Sequence, residues 1–269
     1  MLPLLQDTGG LKSMSKIENA FKNKKAFIGF VTAGDPDIET SEKIMLSMAG
    51  AGCDLIEIGI PFSDPIAEGP VIQEANLRSL SQGTTTDKVF ELTKRVSAQT
   101  DIPLVYMTYL NVLFKYGYDN FLSKARAAGI SGVIIPDLPY EEKQELQQPA
   151  EKYGIDVISL IAPTSEDRIK MIASEAQGFV YAVSSIGVTG TRSEIKTDLE
   201  SIVGAVRQAT DIPVAIGFGI NTPEQAKKYS RLADGVIVGS AIVKLIAKHG
   251  KDAPEFVYDY VKSMKSAME

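Results

Sequence analysis

Residues 26–60 read AFIGFVTAGDPDIETSEKIMLSMAGAGCDLIEIGI. Two short runs of apolar and β-branched residues, AFIGFVT and DLIEIGI, stand at its ends, and the segment SEKIMLSMAGAG between them has the apolar spacing of a helix. Neither run alternates between apolar and polar residues, which is typical of parallel strands covered on both faces. This stretch therefore predicts a strand–helix–strand unit with parallel strands.

The same unit repeats along the chain without a change of composition. Eight parallel strands alternating with helices close into a barrel, so we predict an α/β protein with a single (β/α)8 TIM barrel and short extra helices. A doubly wound open sheet uses the same units and is the alternative. The eight predicted strands are AFIGFVT, DLIEIGI, IPLVYMTYL, GVIIPDL, IDVISLIAP, GFVYAVSS, IPVAIGFGI and DGVIVGS. The predicted helices between them are 41–52, 86–99, 118–129, 141–154, 165–177, 199–210 and 223–233.

The composition narrows the class of protein. The chain has 269 residues, 44% of them hydrophobic, and single α/β barrels commonly have about 250 residues. A net charge of −6 with no basic patch argues against binding to nucleic acid or to an anionic membrane. The one cysteine, Cys53, excludes an internal disulfide, and neither a signal peptide nor a run of about 18 apolar residues stands out. We expect a cytoplasmic protein in which residues 14–269 form the barrel and residues 1–13 are a disordered or start-site extension.

Glu57 is the first candidate catalytic residue. It lies near the end of the second predicted strand, and barrels of this kind form their active sites at the carboxyl ends of the strands. Alternation along a strand lets Glu57 point into the barrel while Ile56 and Ile58 point outward. A carboxyl group in such apolar surroundings has a raised pKa, in the range useful for proton transfer. A buried ion pair with a Lys or Arg of the barrel is the alternative interpretation.

Two further acids follow in the stretch EIGIPFSDPIAEGP, residues 57–70. Asp64 lies in the turn SDP, where a short acid commonly bonds to the backbone and helps to start the next helix, which favours a structural role. Glu68 comes eleven residues after Glu57. A loop acid is commonly just solvated, but an acid on a strand end and a second acid on the overhanging loop can hold a small substrate between two proton-transfer groups.

Glycine-rich segments follow the last three predicted strands. SSIGVTGTRSE at 184–194, GFGIN at 217–221 and GSAIV at 239–243 occupy the positions at which barrels repeatedly bind phosphate. Glycine lets backbone N–H groups approach phosphate oxygens, and Ser240 can begin a short helix whose positive end faces an anion. Each segment alone can serve only as a tight turn. Together they predict a phosphate site.

An apolar segment, YLNVLFKYG at 109–117, extends beyond the third predicted strand. Such residues either pack under a loop or form an exposed patch for an apolar ligand or a partner protein. An apolar patch beside a phosphate site and two acids indicates a phosphorylated substrate with an aromatic or apolar part.

These motifs match a known family. EIGIPFSDPIAEGP closely resembles the signature of the tryptophan synthase α subunit. FVTAGDP (30–36), YAVSSIGVTG (181–190), GFGI (217–220) and VGSAIV (238–243) follow in the family's order, so the resemblance covers the chain from about Met14 onward. It implies a (β/α)8 barrel lyase that reversibly cleaves indole-3-glycerol phosphate to indole and glyceraldehyde 3-phosphate, in the last stage of tryptophan biosynthesis. This retro-aldol reaction needs neither a metal nor a cofactor in this chain.

The resemblance also implies roles for individual residues. Glu57 matches the acid that protonates the indole ring carbon as the carbon–carbon bond breaks. Glu68 matches the loop acid that interacts with the indole N–H and assists proton removal. Tyr181 matches a tyrosine beside the substrate, Phe218 an aromatic packed against the indole, and Thr189 a lid residue that meets the loop acid in the closed state. The residues matching the phosphate contacts are Gly190, Gly219, Gly239 and Ser240.

A partner protein is implied as well. Members of the family associate with a β subunit that carries pyridoxal phosphate, in an α2β2 heterotetramer, and the segments 61–68 and 109–114 match the surfaces that touch it. One position departs from the family, which usually has Asp where this chain has Glu68. The longer side chain puts the geometry of that acid in question.

Two other functions fit the same motifs. Another phosphate-binding TIM-barrel enzyme would share the phosphate site, but such enzymes generally rely on a Lys or on other acid patterns at strand ends, and the eight predicted strands contain no Lys. A non-catalytic barrel that binds a phosphorylated ligand and regulates a partner enzyme is the second alternative. Release of indole distinguishes the expected lyase from both.

Overall fold

The computed structural model describes residues 15–183, 199–217 and 219–269. Over these residues the strands form one sheet in which all neighbouring pairs are parallel. The strands are β1 (Ala26–Thr32), β2 (Leu55–Gly59), β3 (Leu104–Met107), β4 (Ile130–Ile134), β5 (Asp156–Val157), β6 (Ser159–Ile161), β7 (Val180–Val183), β8 (Val214–Gly217) and β9 (Gly235–Val238). Their order is β5-β4-β3-β2-β1-β9-β8-β7-β6.

The two outermost strands in this order are halves of one barrel strand. β5 pairs with β4, β6 pairs with β7, and only Ile158 separates them in sequence. The Ile158 N–H donates to the Val133 carbonyl at 2.9 Å, so the link between the halves still bonds to the β4 side. The sheet therefore closes on itself with eight barrel strands, each overlapping one of the eight predicted runs; β4 begins two residues before its run. The (β/α)8 prediction is confirmed, and the open doubly wound sheet is not adopted.

Alternation along the strands divides the core into two layers. Residues such as Ile28 and Leu55 point inward and pack together in the barrel interior. Their neighbours in sequence, such as Phe27 and Ile56, point outward and pack under the helices in a larger cluster. All seven residues of β1 are buried, which explains why the strands read as continuous apolar runs.

The helices surround this sheet. Several begin at side-chain caps: Asp37 accepts from the Thr40 N–H at 2.8 Å, and Thr222 forms a reciprocal capping box with Gln225. The helices are α1 (Lys16–Asn19), α2 (Ile38–Gly50), α3 (Pro70–Ser81), α4 (Thr86–Ser97), α5 (Leu110–Tyr116), α6 (Tyr118–Ala127), α7 (Lys143–Lys152), α8 (Glu166–Ser174), α9 (Leu199–Ala209), α10 (Pro223–Ser230), α11 (Ser240–His249) and α12 (Ala253–Met268).

The helices α3, α5 and α12 lie in parts of the chain where no helix is predicted. Pro70 occupies the first position of α3, where its missing N–H removes no helical hydrogen bond, so it begins the helix instead of preventing one. α5 replaces most of the expected loop 109–114. α12 packs against α2, α10 and α11 and covers the outside of the barrel between them. In the described ranges, no helix has both the length and the apolar character needed to cross a membrane.

Candidate active site

Glu57 lies inside the mouth of the barrel, as its strand position predicts. It is 1% exposed, and its β2 neighbours Ile56 and Ile58 belong to the outer cluster while Leu55 belongs to the interior one. Within the described residues Glu57 has no ion-pair partner, and its buried Oε1 accepts no hydrogen bond. The described structure therefore gives the ion-pair interpretation no support.

This burial changes the charge state of Glu57. Loss of solvation raises the pKa of its carboxyl from 4.5 to about 8, because water no longer stabilises the ionised form. At neutral pH most of the carboxyl groups at this position are protonated. A protonated carboxylic acid in an apolar barrel mouth can act as a proton donor.

Tyr181 lies beside Glu57. It points inward from β7, and burial together with the charge of Glu57 raises the pKa of its hydroxyl well above the ordinary value. Its ring covers Gly217 at the end of β8, where an added Cβ would lie 2.3 Å from a ring carbon. Glycine at 217 therefore makes room for the tyrosine ring, in addition to any contact with an anion.

An apolar wall forms the neighbouring side of the mouth. Phe30 is the register partner of Glu57 across β1 and β2, and it packs with Ala75 of α3 and Val243 of α11. Met107 at the end of β3 lies against the same cluster. The wall joins the strand that carries Glu57 to two helices, and its aliphatic and aromatic surface suits a flat apolar ligand.

Glu68 is held near this wall and is not freely solvated. Its carboxylate Oε2 accepts a hydrogen bond from Asn76 Nδ2 at 2.7 Å, and Asn76 follows Ala75 in α3. Burial raises the pKa of Glu68, while hydrogen bonds from Asn76 and the Tyr109 hydroxyl act in the opposite direction by favouring the carboxylate. Packing of α3 against Phe30 thus brings the loop acid to the mouth that contains Glu57.

Asp64 does not start the following helix, so that part of its predicted role is wrong. It is exposed, and it accepts a hydrogen bond from the Ser63 hydroxyl at 2.5 Å. α3 begins at Pro70 with Gly69 as its N-cap, six residues after Asp64.

Two of the three expected phosphate segments lie at the ends of β8 and β9, and the third, 184–194, lies outside the described residues. Gly219 has a φ of +77°, a left-handed conformation that glycine adopts without strain. Gly239 is the N-cap of α11, which begins at Ser240; no side chain caps this end in the described structure, and the first turn carries no acidic residue. The first N–H groups of a ten-residue helix are therefore available to an anion.

Three predicted site residues, Thr189, Gly190 and Phe218, lie outside the described residues. The structure brings together Glu57, Tyr181 and Gly217, and it links Gly239 to the same mouth because an added Cβ at Gly239 would lie 3.4 Å from Phe30 Cβ.

Asn76 and Tyr109 both contact the loop acid Glu68, and neither contact is predicted from the sequence. The hydroxyl of Tyr109 accepts from the Ala67 N–H at 3.1 Å, and its ring lies 5.2 Å from that of Phe62. Asn76 lies in the stretch PVIQEANLRSLS, which forms α3. A helix can be predicted there only if Pro70 is taken as its first residue, and the position of Asn76 on that helix then follows.

A surface groove on the outside of the barrel, of about 760 Å³, is a poorer candidate for the site. Four of its charged lining side chains pair with one another, Arg95 with Glu42 at 2.6 Å and Lys124 with Asp87 at 2.9 Å. In the described ranges no group of three His, Cys, Asp or Glu side chains could hold a metal ion.

Comparison with known proteins gives the family. The model of the family described as "Tryptophan synthase alpha chain" matches residues 17–269. This chain belongs to the tryptophan synthase alpha chain family. It is 49% identical over 256 residues to the alpha chain of Lacticaseibacillus casei, with 95% of this chain and 96% of that protein covered. It is 51% identical over 257 residues to that of Lactiplantibacillus plantarum, with 95% and 97% covered.

Solved structures agree with this family assignment. A chain of the tryptophan synthase complex from Pyrococcus furiosus superposes with a TM-score of 0.82 at 34% identity, covering 90% of this chain and 98% of that one. The family consists of lyases of tryptophan biosynthesis that cleave indole-3-glycerol phosphate, and it is not itself a cofactor-binding subunit. The predicted family, fold and enzyme class are confirmed.

Proposed function

We propose that this chain cleaves indole-3-glycerol phosphate reversibly to indole and glyceraldehyde 3-phosphate, with Glu57 as the proton donor. The observation that carries this proposal is the buried carboxyl of Glu57 in β2, whose pKa of about 8 keeps most of it protonated at neutral pH. Cleavage of the bond between the indole ring and the glycerol chain requires a proton at the ring carbon.

A single acid at the position of Glu57 can both donate and recover the proton of this reaction. Glu57 gives its proton to the indole carbon, which leaves a positive charge on the ring and a carboxylate at Glu57. The hydroxyl on the adjacent glycerol carbon then loses its proton, the carbon–carbon bond breaks, and its electron pair returns to the ring as the aldehyde forms. The Glu57 carboxylate can take up that hydroxyl proton, so the cycle restores the acid.

Glu68 supplies the second charge. As a carboxylate it would accept a hydrogen bond from the indole N–H and stabilise the ring while the ring is positive. Burial raises the pKa of Glu68, and the hydrogen bonds from Asn76 and Tyr109 act against that shift by favouring the carboxylate. A pair of carboxyl groups in one site, one protonated and the other ionised, is a recurring arrangement in acid–base catalysis. Tyr181 and Phe218 would pack beside the indole, and Thr189 would meet Glu68 on closure.

The phosphate of the substrate would bind at the other end of the mouth. Gly219, Gly239 and Ser240 lie at the ends of β8 and β9, where the N-terminus of α11 offers unpaired N–H groups. Gly190 would complete the set from the segment after β7.

Release of indole from indole-3-glycerol phosphate by the purified chain tests the proposal. We expect one indole for each substrate consumed. Binding of the substrate without turnover would favour the non-catalytic regulatory barrel, and consumption without indole would favour another phosphate-binding barrel enzyme.

We also propose a β subunit as partner, in an α2β2 complex whose β chains carry pyridoxal phosphate. The support is the exposure of two apolar side chains in the expected contact segments, Ile66 and Phe114, each 74% exposed. The rings of Phe62 and Tyr109 join the two segments. Residues 14–269 would form the catalytic barrel, with 1–13 as an extension, and the cytoplasmic location stays a prediction.

A further inference from the structure

Asn76 and Ser79 are the buried polar residues of α3, and Ser79 donates to the Ala33 carbonyl at 2.6 Å. Asn76 is 3% exposed and follows Ala75, which packs against Phe30 in the apolar wall. A buried amide without hydrogen-bond partners destabilises a fold, and Asn is a poor helix former. Its bond to Glu68 Oε2, at 2.7 Å, is the described contact that offsets this cost.

The environment of Glu68 is built from two directions. α3 provides Asn76 to the carboxylate and Gln73, whose Nε2 donates to the Glu68 carbonyl at 2.8 Å. The end of β3 provides Tyr109, whose hydroxyl bonds to the carboxylate and to the Ala67 N–H. Beyond Tyr109 lies Asp137, whose Oδ1 accepts from the Leu110 N–H at 2.9 Å.

These donors leave room for a ligand. An ionised carboxylate has about four lone-pair sites, and Asn76 and Tyr109 occupy two of them. Burial fixes the amide of Asn76, and the amide in turn fixes the carboxylate of Glu68. The lone pairs of the carboxylate that remain unoccupied can accept a hydrogen bond from a ligand.

We propose that Asn76 is a positioning residue that holds the carboxylate of Glu68 in place for the substrate N–H and favours its ionised form. This inference rests on the function proposed above for Glu68. Asn76 itself does not touch the reacting atoms, and its effect passes through the carboxylate. Because misplacing a catalytic group by about 1 Å can cost ~10²-fold, loss of the amide should be visible in turnover.

The test compares the pH dependence of kcat/KM for indole release in the wild type, Asn76→Ala and the matched control Gln73→Ala. Loss of Asn76 removes a donor that favours the carboxylate, so the acidic limb should move to higher pH and kcat/KM at neutral pH should fall about tenfold or more. Gln73→Ala removes a bond of similar length to the backbone of the same residue, so its acidic limb should stay in place.

A double-mutant cycle with Glu68→Gln completes the test. If Asn76 acts through Glu68, then Asn76→Ala should cost little more once Glu68 is already Gln. Asn76→Ser serves in the same cycle if the alanine variant does not fold, as judged by circular dichroism. Additive losses in the cycle, or an equal shift of the acidic limb in Gln73→Ala, would overturn the role of Asn76. Absence of indole release from the wild type would instead overturn the proposed function itself.

Discussion

Glu57 owes its chemistry to the side chains around it. Its strand position points the carboxyl inward, and its neighbours remove water without supplying a positive charge from the described residues. Replacing it by Gln preserves the size of the side chain and removes the transferable proton. We expect Glu57→Gln to bind the substrate and to lower indole formation by at least ~10²-fold, measured as kcat with circular dichroism as the control for folding. Near-normal turnover would rule out Glu57 as the donor.

The same burial makes the stability of the fold depend on pH. The folded-state pKa of about 8 lies above the ordinary value of 4.5, so the contribution of the neutral carboxyl is fully present below about pH 4.5 and is lost as the pH rises through 8. At ~1.4 kcal/mol per pH unit, this interval corresponds to a few kcal/mol. Between pH 5 and 8.5, the free energy of unfolding should fall in the wild type relative to Glu57→Gln. Parallel curves for the two proteins would contradict the assigned pKa.

Glu68 has one methylene group more than the Asp that the family usually has at this position, so its carboxylate lies farther from the backbone. The longer arm reaches Asn76 at 2.7 Å, while the backbone on either side is fixed by the Gln73 and Tyr109 contacts. Shortening the arm would withdraw the carboxylate by roughly 1.5 Å. We therefore expect Glu68→Asp to lower kcat/KM, despite restoring the usual residue. A several-fold increase in turnover would instead show that the loop has not adapted to Glu68.

At the scale of an element, the N-terminus of α11 is the part of the site most open to direct test. Gly239 has a φ of −115°, which other residues adopt, and an added Cβ would make ordinary contact with Phe30 at 3.4 Å. Gly239→Asp should therefore fold, but its negative charge would face the phosphate. We expect substrate affinity to collapse while the circular dichroism spectrum stays native. Gly204→Asp in α9, where an added Cβ meets nothing within 4 Å, is the charge-matched control. Equal affinity in both variants would place the phosphate elsewhere.

The strands are the elements that the sequence predicts best. A parallel strand buried on both faces must be apolar along its length, and β1, with every residue buried, shows why such runs can be read directly. The inward direction of Glu57 follows from the alternation of side chains along a strand. Residues two apart point to the same face, and Leu55 points into the barrel interior, so Glu57 does so as well.

Helix boundaries beside special residues are harder to predict. Gly69 and Pro70 resemble loop residues, yet Pro is well suited to the first position of α3. Leu110 to Tyr116 resembles an apolar loop because its helix is only seven residues long. The hydrogen bond from Asn76 to Glu68 depends on how α3 packs against Phe30, a long-range contact that periodicity within one segment does not contain.

At the scale of the whole molecule, the proposed partner surface and the proposed catalytic loop share side chains. Tyr109 bonds to Ala67 and Glu68, and its ring contacts Phe62, while α5 beside it carries the exposed Phe114. A β subunit covering Phe114 would therefore contact the helix whose N-cap, Tyr109, helps to hold the loop acid. Phe114→Ala should weaken β-subunit binding, whereas Phe256→Ala, which removes an exposed ring from α12, should not. Equal losses in the two variants would remove the support for this surface.

The stronger consequence is reciprocal coupling between substrate and partner. If docking of the β subunit orders the loop that carries Glu68, it favours the substrate-binding state, and the substrate must then favour docking by the same factor. Couplings of this kind are typically worth about 1–3 kcal/mol, or roughly 5–150-fold in affinity. Titration of this chain with the β subunit, with and without a glycerol-phosphate analogue, should give a lower Kd in its presence. Asn76→Ala should reduce that difference, because the loop acid then lacks its fixed contact with α3. Identical Kd values with and without the analogue in the wild type would show that the two surfaces, although joined by Tyr109, are not coupled.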